Sequence, residues 1–456
     1  MTVYYLIEQD MKKETRVLGW SLIVALGGFL FGFDTAVISG VEKSIQELFQ
    51  LNSFWQGITI SSALIGTVIG AITAGKPADR YGRRLVLFVV AILYAVSAFG
   101  SATTSSHSLF ILFRFLGGVA VGASSVAGPM YISEISPARL RGRMTGLFQF
   151  NVIFGILMAY ISNYLLRDTG NDPWRFMLGV EGLPALLFFF LLFMVPRSPR
   201  FLVKINRIEE ARKVLSLIEE NDIEAEIEEI KNGLVTGKTS SRTLFSRNYF
   251  RPISLAILVA MFNQFSGINA ILYYAPRIFE LTGLSFADSM FQPVLIGITN
   301  AIFTMLGLTI IDRVGRKKLL IVGSVGMAIC LGFIARIFYL QDFTGYGVLV
   351  FLLIYIMFFA FSTGAVIWVL IAEVFPTSVR GKGQGLGSFT HWFFAALITF
   401  LFPIIVESGS AGSGHSFAFF SIMMILQALV VWKYFPETKG KSLEQIQKEL
   451  SNNLNQ

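Results

Sequence analysis

The feature that most constrains this chain is a succession of twelve apolar blocks, each about 20 residues long and nearly free of charge. A helix rises about 1.5 Å per residue, so one such block crosses the roughly 30 Å hydrocarbon layer of a bilayer. Only helices and closed barrels satisfy every backbone group there, and these blocks show no period-two alternation. Composition agrees: 54% of the residues are hydrophobic and only 14% charged, against about a quarter charged in soluble domains. The expected spans are 17–40, 54–75, 85–105, 108–130, 144–166, 174–195, 252–280, 291–311, 319–340, 347–372, 383–406 and 415–435. Lys12, Lys13 and Arg16 precede the first block as they would in a signal peptide, but the block is too long and contains Asp34, so it reads as a retained span.

Positive charge sets the expected orientation. Of 37 Lys and Arg, only Lys43, Arg114, Arg167, Arg175, Arg277 and Arg336 fall outside one alternate set of loops and the two ends of the chain. Both termini and the segment 197–250 are therefore expected on the cytoplasmic side. That segment carries 10 basic and 9 acidic residues, and Ile205 to Leu215 shows helical spacing of its apolar positions. It reads as a cytoplasmic helical linker between an N-terminal bundle, 1–196, and a C-terminal bundle with a short tail, 251–456.

The two halves repeat one another. Asp79-Arg80-Tyr81-Gly82-Arg83-Arg84 returns as Asp312-Arg313-Val314-Gly315-Arg316-Lys317. Glu134 through Arg141 returns as Glu373 through Arg380, and Pro196-Arg197-Ser198-Pro199-Arg200 is echoed by Pro436-Glu437-Thr438-Lys439-Gly440. Parallel duplication of a six-helix unit is the plan of rocker-type secondary transporters. These motifs mix both charge signs at cytoplasmic helix ends. They read either as plain anchors or as staples that form in one conformational state and break in another.

Ionisable residues inside spans are costly and point to function. Asp34, Arg114 and Glu181 lie in three different spans at similar expected depth, roughly 10 Å inside the outer boundary. That permits a carboxylate–guanidinium–carboxylate cluster, readable as a proton switch or as a structural ion pair. Among chemistries the chain lacks, nothing suits covalent catalysis, no phosphate loop is present, and the single Cys330 with three scattered His offers neither disulfide nor metal site. No enzyme activity and no cofactor are expected.

With these motifs in hand, the chain resembles the sugar porters of the major facilitator superfamily over nearly its whole length. The resemblance rests on Gly32-Phe33-Asp34-Thr35-Ala36-Val37-Ile38-Ser39-Gly40, the paired Asp-Arg-x-Gly-Arg loops, Gln264-Phe265-Ser266-Gly267-Ile268-Asn269 with Tyr273-Tyr274, and Pro436-Glu437-Thr438-Lys439-Gly440-Lys441. It is nearest to bacterial proton-coupled symporters and more distant from facilitative glucose carriers. Such a protein takes a monosaccharide, a hexose or a pentose, and a proton as co-substrate; facilitative uniport and polyol or myo-inositol transport are the alternatives within the same fold. The resemblance implies a multi-pass protein of a bacterial inner membrane, working as a monomer in the bilayer and binding no nucleic acid.

What the resemblance implies about residues is specific. Asp34, Arg114 and Glu181 match proton-coupling positions, and facilitative relatives carry Asn where this chain has Asp34. Sugars need amides for their hydroxyls and aromatic faces for their C–H surfaces. Gln149, Gln264, Asn269, Asn300 and Trp368 match sugar-binding positions, Trp392 matches a pocket aromatic, and Tyr273 matches a residue of the outer gate. Gln264 and Asn269, five apart, are expected about 140° apart around one helix, both edging a cavity without stacking directly. The chain departs from the family at four places: Asn263 stands where a second Gln is usual, Ile156 where the symporter has Gln, His391 where relatives have Gln or Asn, and Arg197 where Glu is usual. Gly364 is expected to soften the tenth span. The gating set comprises Asp79, Arg80, Gly82, Arg83, Glu134, Arg141, Asp312, Arg313, Gly315, Arg316, Glu373 and Arg380.

Overall fold

The computed structural model describes residues 2–137, 139–218, 222–239, 244–246, 249–343, 345–376, 379–409, 411–441, 445–446 and 449. Twelve helices among them are long and apolar enough to cross a membrane: Lys13–Gly40, Ser53–Thr73, Arg83–Thr103, His107–Ile135, Arg141–Leu166, Pro173–Met194, Phe250–Tyr273, Phe286–Val314, Arg316–Leu340, Gly347–Val374, Arg380–Val406 and Gly412–Tyr434. No strand occurs among the described residues. Large apolar side chains stand exposed along these helices, Phe190, Ile329 and Trp432 among them. That is unfavourable in water and neutral in hydrocarbon.

Most spans fall within a few residues of expectation. The seventh is a correction. Its apolar run 252–280 is divided into Phe250–Phe265, Ile268–Tyr273 and Ala275–Glu280. Gly267 makes the first break at φ 84°, a left-handed conformation that Gly adopts without steric cost. A side chain there would also strike the ring of Phe420. The tenth span breaks as well, into Gly347–Phe361 and Thr363–Val374, and the break falls at Ser362 rather than at Gly364. A third interruption, in the sixth span, separates Pro173–Gly179 from Gly182–Leu191 and leaves Glu181 at the joint.

Helices inside a membrane gain little from hydrophobic burial against one another, so they associate through close backbone approach at small residues. Gly32 on the first span faces the Val152 carbonyl on the fifth, and Gly155 on the fifth faces the Phe29 carbonyl on the first. A methyl at either position would collide with backbone. The expected linker forms three helices, Pro199–Lys204, Ile208–Ser216 and Ile223–Thr239. Ser198 caps the first by accepting from the Phe201 amide at 3.3 Å. On the second, Arg212 bonds Glu209 and Glu224 at 2.5 and 2.6 Å, and Glu224 titrates below its ordinary range because of that guanidinium.

The described chain groups into two compact units that do not follow chain order. One comprises Met1–Asp34, Gly66–Ile156 and Leu178–Ser241, the other Thr35–Ile65, Leu157–Met177 and Arg242–Gln456. The division enters the first span between Asp34 and Thr35. In the first unit the core centres on Leu87, Tyr94, Tyr131, Ile132 and Phe188, and in the second on Ala256, Leu320, Val366 and Ile371.

Candidate functional site

Within the first unit, Asp34 and Arg114 meet in the membrane interior, each about 1% exposed. Arg114 Nη1 lies 2.5 Å from Asp34 Oδ1, while Nη2 donates to the Asp34 carbonyl at 3.1 Å and approaches Oδ2 at 3.4 Å. One turn on from Arg114, Gly117 lets its helix pack against Ser97, where a Cβ would strike the Ser97 Oγ and sit 3.3 Å from Asp34 Oδ1. Glu181 is equally buried and within coulombic reach of both groups. Neither of its carboxylate oxygens has a hydrogen-bond partner among the described residues. The three-membered cluster expected from the sequence is therefore a direct pair with a second carboxyl group beside it. Tyr94, fully buried within coulombic reach of Asp34 and Glu181, joins this group and carried no signal in the sequence.

Within the second unit, the amides of the seventh span form a continuous chain. Asn269 Nδ2 donates to Gln264 Oε1 at 2.7 Å, and Gln264 Nε2 donates to Asn263 Oδ1 at 2.9 Å. The same Nε2 approaches both ring nitrogens of His391 at 3.2 Å. Direct contact between Gln264 and Asn269 corrects the expected 140° separation. The break at Gly267 swings the following turn back, so the residues no longer follow one helical screw. Asn263 Nδ2 in turn reaches the Thr363 carbonyl at 3.4 Å, and Tyr355 Oη donates to the Ser266 carbonyl at 2.9 Å. Each of the two broken spans thus bonds a backbone carbonyl at the other's break, support that hydrocarbon could not give.

Aromatic rings flank this polar row. The His391 ring centroid lies 4.9 Å from that of Trp368 and 4.8 Å from that of Trp392. Trp392 is buried whereas Trp368 is 37% exposed. Asn300 on the eighth span is buried and accepts from Thr304 at 3.3 Å, and Tyr273 is buried. Gln149 belongs to the first unit and is half-buried.

The repeated loops are ion-paired in both halves. Arg83 binds Asp79 at 2.9 Å and Glu134 at 3.0 Å, and Arg316 binds Asp312 at 2.8 Å and Glu373 at 2.9 Å. Gly82 and Gly315 take φ values of 92° and 100°. Of the other motif arginines, Arg80 lies over the Tyr81 ring, Arg141 donates to the Ser133 carbonyl at 3.1 Å, and Arg380 donates to the Phe375 carbonyl at 3.4 Å. The Arg313 carbonyl accepts from Lys439.

A further ionic cluster in the second unit went unread in the sequence, because Glu42 and Glu407 sit in separate short segments between spans and Arg277 falls inside the expected seventh span, 252–280, which the structure ends at Tyr273. Arg277 bonds Glu42 at 3.2 Å, Gln46 at 2.8 Å and Glu407 at 2.7 Å. Gln56 adds a 2.7 Å bond to Glu42, and Lys43 pairs with Glu280 at 2.7 Å. Burial holds the Glu42 carboxyl above the ordinary carboxylate range, opposed chiefly by Arg277. Nearby, Tyr160 Oη donates to the Leu272 carbonyl and Asn163 Nδ2 to the Val37 carbonyl.

Comparison with known proteins gives one consistent result. The family model described as sugar (and other) transporter matches residues 20–450. A D-xylose-proton symporter of Escherichia coli is 36% identical, with 95% of this chain and 96% of that protein covered. An arabinose-proton symporter of Bacillus subtilis is 36% identical over 94% of each. Among solved structures, an inward-open conformation of the E. coli xylose transporter matches with a TM-score of 0.85 at 34% identity, covering 95% of this chain and 99% of that one.

The buried pair makes a prediction about stability. Arg114→Gln strands two buried carboxylates without their counter-charge and should cost about 3–5 kcal/mol. Adding Asp34→Asn to that variant should recover part of the loss, as read from thermal unfolding of the purified protein. Single and double variants that unfold at the wild-type temperature would show the pair to be energetically idle.

Proposed function

The chain belongs to the sugar transporter family, with the twelve-helix, two-halved major facilitator fold, and from that membership we propose that it is a monosaccharide–proton symporter working by alternating access. The observation that carries the proton half of the reading is the Asp34–Arg114 pair, sealed in the membrane interior beside Glu181. A carboxylate that loses a neighbouring guanidinium in an apolar site takes up a proton. A conformational change that parts Arg114 from Asp34 therefore ties proton uptake to access. Asp34 carries the transported proton in this account, Arg114 governs when it is held, and Glu181 is a second carboxylate answering to the same guanidinium.

The sugar half rests on the amide row. Gln264, Asn269 and Asn300 offer donors and acceptors for hydroxyls, Gln149 adds an amide from the first half, and Trp368 and Trp392 offer ring faces to C–H surfaces. His391 works here as a neighbour of Gln264 and shapes which hydroxyl arrangement fits. Tyr273 stands at the outer gate. The ion-paired loops around Asp79, Arg80, Gly82, Arg83, Glu134 and Arg141, and around Asp312, Arg313, Gly315, Arg316, Glu373 and Arg380, act as staples of one access state. We place the protein in a bacterial inner membrane as a monomer, both termini and the linker cytoplasmic, with bundles 1–196 and 251–456 as the moving halves. Binding and moving an unmodified sugar, it performs no catalysis.

Two outcomes follow. Gln264→Ala removes the joint of the amide row and should weaken sugar binding by roughly 5- to 150-fold, equivalent to about 1–3 kcal/mol, with a smaller loss for Asn269→Ala. Calorimetric affinities within twofold of wild type for both would take the seventh span out of the pocket. Asp34→Asn keeps shape and removes the titratable group. It should spare sugar binding and exchange between sugar-loaded compartments while abolishing proton movement with sugar. Proton uptake persisting in Asp34→Asn vesicles would refute its assignment.

A further inference from the structure

The two copies of the repeated unit close their Asp-Arg-x-Gly-Arg loops in the same way but for one charge. Arg316 donates through Nη1 to the Ile311 carbonyl, as Arg83 does to the Ala78 carbonyl. Thr438 Oγ1 donates to Glu373 Oε2 at 2.6 Å, and Ser198 Oγ donates to the matching oxygen of Glu134. These contacts align position 198 with 438, and so Arg197 with Glu437. In the second copy, Glu437 lays its carboxylate across the start of the ninth span. Oε1 accepts from the Arg316 amide at 3.0 Å and Oε2 from the Lys317 amide at 3.2 Å. The orphan amides and positive end of a 25-residue helix thereby meet an anion.

In the first copy that anion is missing from the protein. The third span opens at Arg83 with the same backbone turn at Gly82, and neither the Arg83 nor the Arg84 amide meets a carboxylate among the described residues. Asp312, Arg316, Lys317, Glu373 and Glu437 sum to −1, whereas Asp79, Arg83, Arg84, Glu134 and Arg197 sum to +1. One residue exchange produces that two-charge difference. Arg83 is committed to its two carboxylates, and Arg84 donates to the Leu192 and Phe193 carbonyls at 3.2 Å. Arg197 is exposed and makes neither a hydrogen bond nor an ion pair among the described residues. A cavity of about 220 Å³ lies here, lined by Gly82, Arg83, Arg84, Arg197 and Ser198, with the Phe201 ring closing the Gly82 side.

We propose that this cavity binds a phosphate-type oxyanion, seated on the Arg83 and Arg84 amides and the Arg197 guanidinium, in the role that the Glu437 carboxylate fills in the other half. Helix amides and a free arginine fork together suit a tetrahedral oxyanion better than a spherical halide. Two sources present that chemistry at a membrane face: a soluble phosphate and the phosphodiester of an anionic phospholipid. The site stands apart from the sugar and proton residues and does not depend on the symport reading.

Inorganic phosphate titrated into the full-length protein in detergent, followed by calorimetry, tests it. Wild type should bind saturably, and chloride at matched ionic strength should not reproduce the signal. Arg197→Glu supplies the carboxylate from within and should weaken phosphate binding at least about 10-fold, with Arg197→Gln falling between. Bilayer discs identify the source. A lipid occupant abolishes phosphate binding in phosphatidylglycerol discs and leaves it in phosphatidylcholine discs, whereas a soluble occupant binds equally in both. No phosphate binding by wild type in detergent, or wild-type affinity in both Arg197 variants, would overturn the proposal.

Discussion

Inside hydrocarbon no polar group can borrow a partner from water, and that constraint shapes each feature of this protein that bears on function. Among the described residues three spans are interrupted, the sixth, seventh and tenth, and each break frees backbone groups that something must satisfy. At the seventh and tenth spans the answer is mutual: Tyr355 answers the Ser266 carbonyl and Asn263 answers that of Thr363. Asn263 also accepts from Gln264, which in turn joins Asn269 and His391 in one polar row. Breaking the helix and building the polar row are thus one event, with Gly267 as its pivot.

Charge obeys the same constraint more severely. Arg114 meets Asp34 with both its terminal nitrogens, and its environment excludes competing solvent. Glu181 shares that environment without a hydrogen bond of its own. One guanidinium facing two buried carboxyl groups leaves a surplus of acid in the cluster, which supports the proposed proton-carrier reading over a purely structural pair.

Much of this was legible in the sequence. Block length and charge scarcity located the spans, and the doubled Asp-Arg-x-Gly-Arg loops located the repeat. Asp34 and Arg114 were visible because a charge in an apolar block is conspicuous. The rest depended on contacts between distant segments. Nothing in the order Gln264 to Asn269 says that Gly267 takes a positive φ, so a regular helix put the two amides on different bearings when they touch. The cluster of Glu42, Arg277 and Glu407 was hidden because Glu42 and Glu407 look like ordinary charges in short loops, and the continuous apolar run 252–280 does not show that the membrane helix stops before Arg277. Duplication served as an internal control: Arg197 looked like a neutral departure until Glu437 showed what its position does.

The central claim is that a proton gradient drives sugar uphill through this protein. One charge moved through about 100 mV is worth about 2.3 kcal/mol, enough to concentrate a neutral sugar roughly 50-fold. The most direct measurement is uptake of a labelled monosaccharide by proteoliposomes under an imposed proton gradient, across a panel of hexoses and pentoses. The account predicts that at least one sugar accumulates severalfold above its outside level and drains when a protonophore collapses the gradient. Equilibration of a sugar without accumulation, at the same rate with and without the gradient, would contradict it and leave a facilitative carrier.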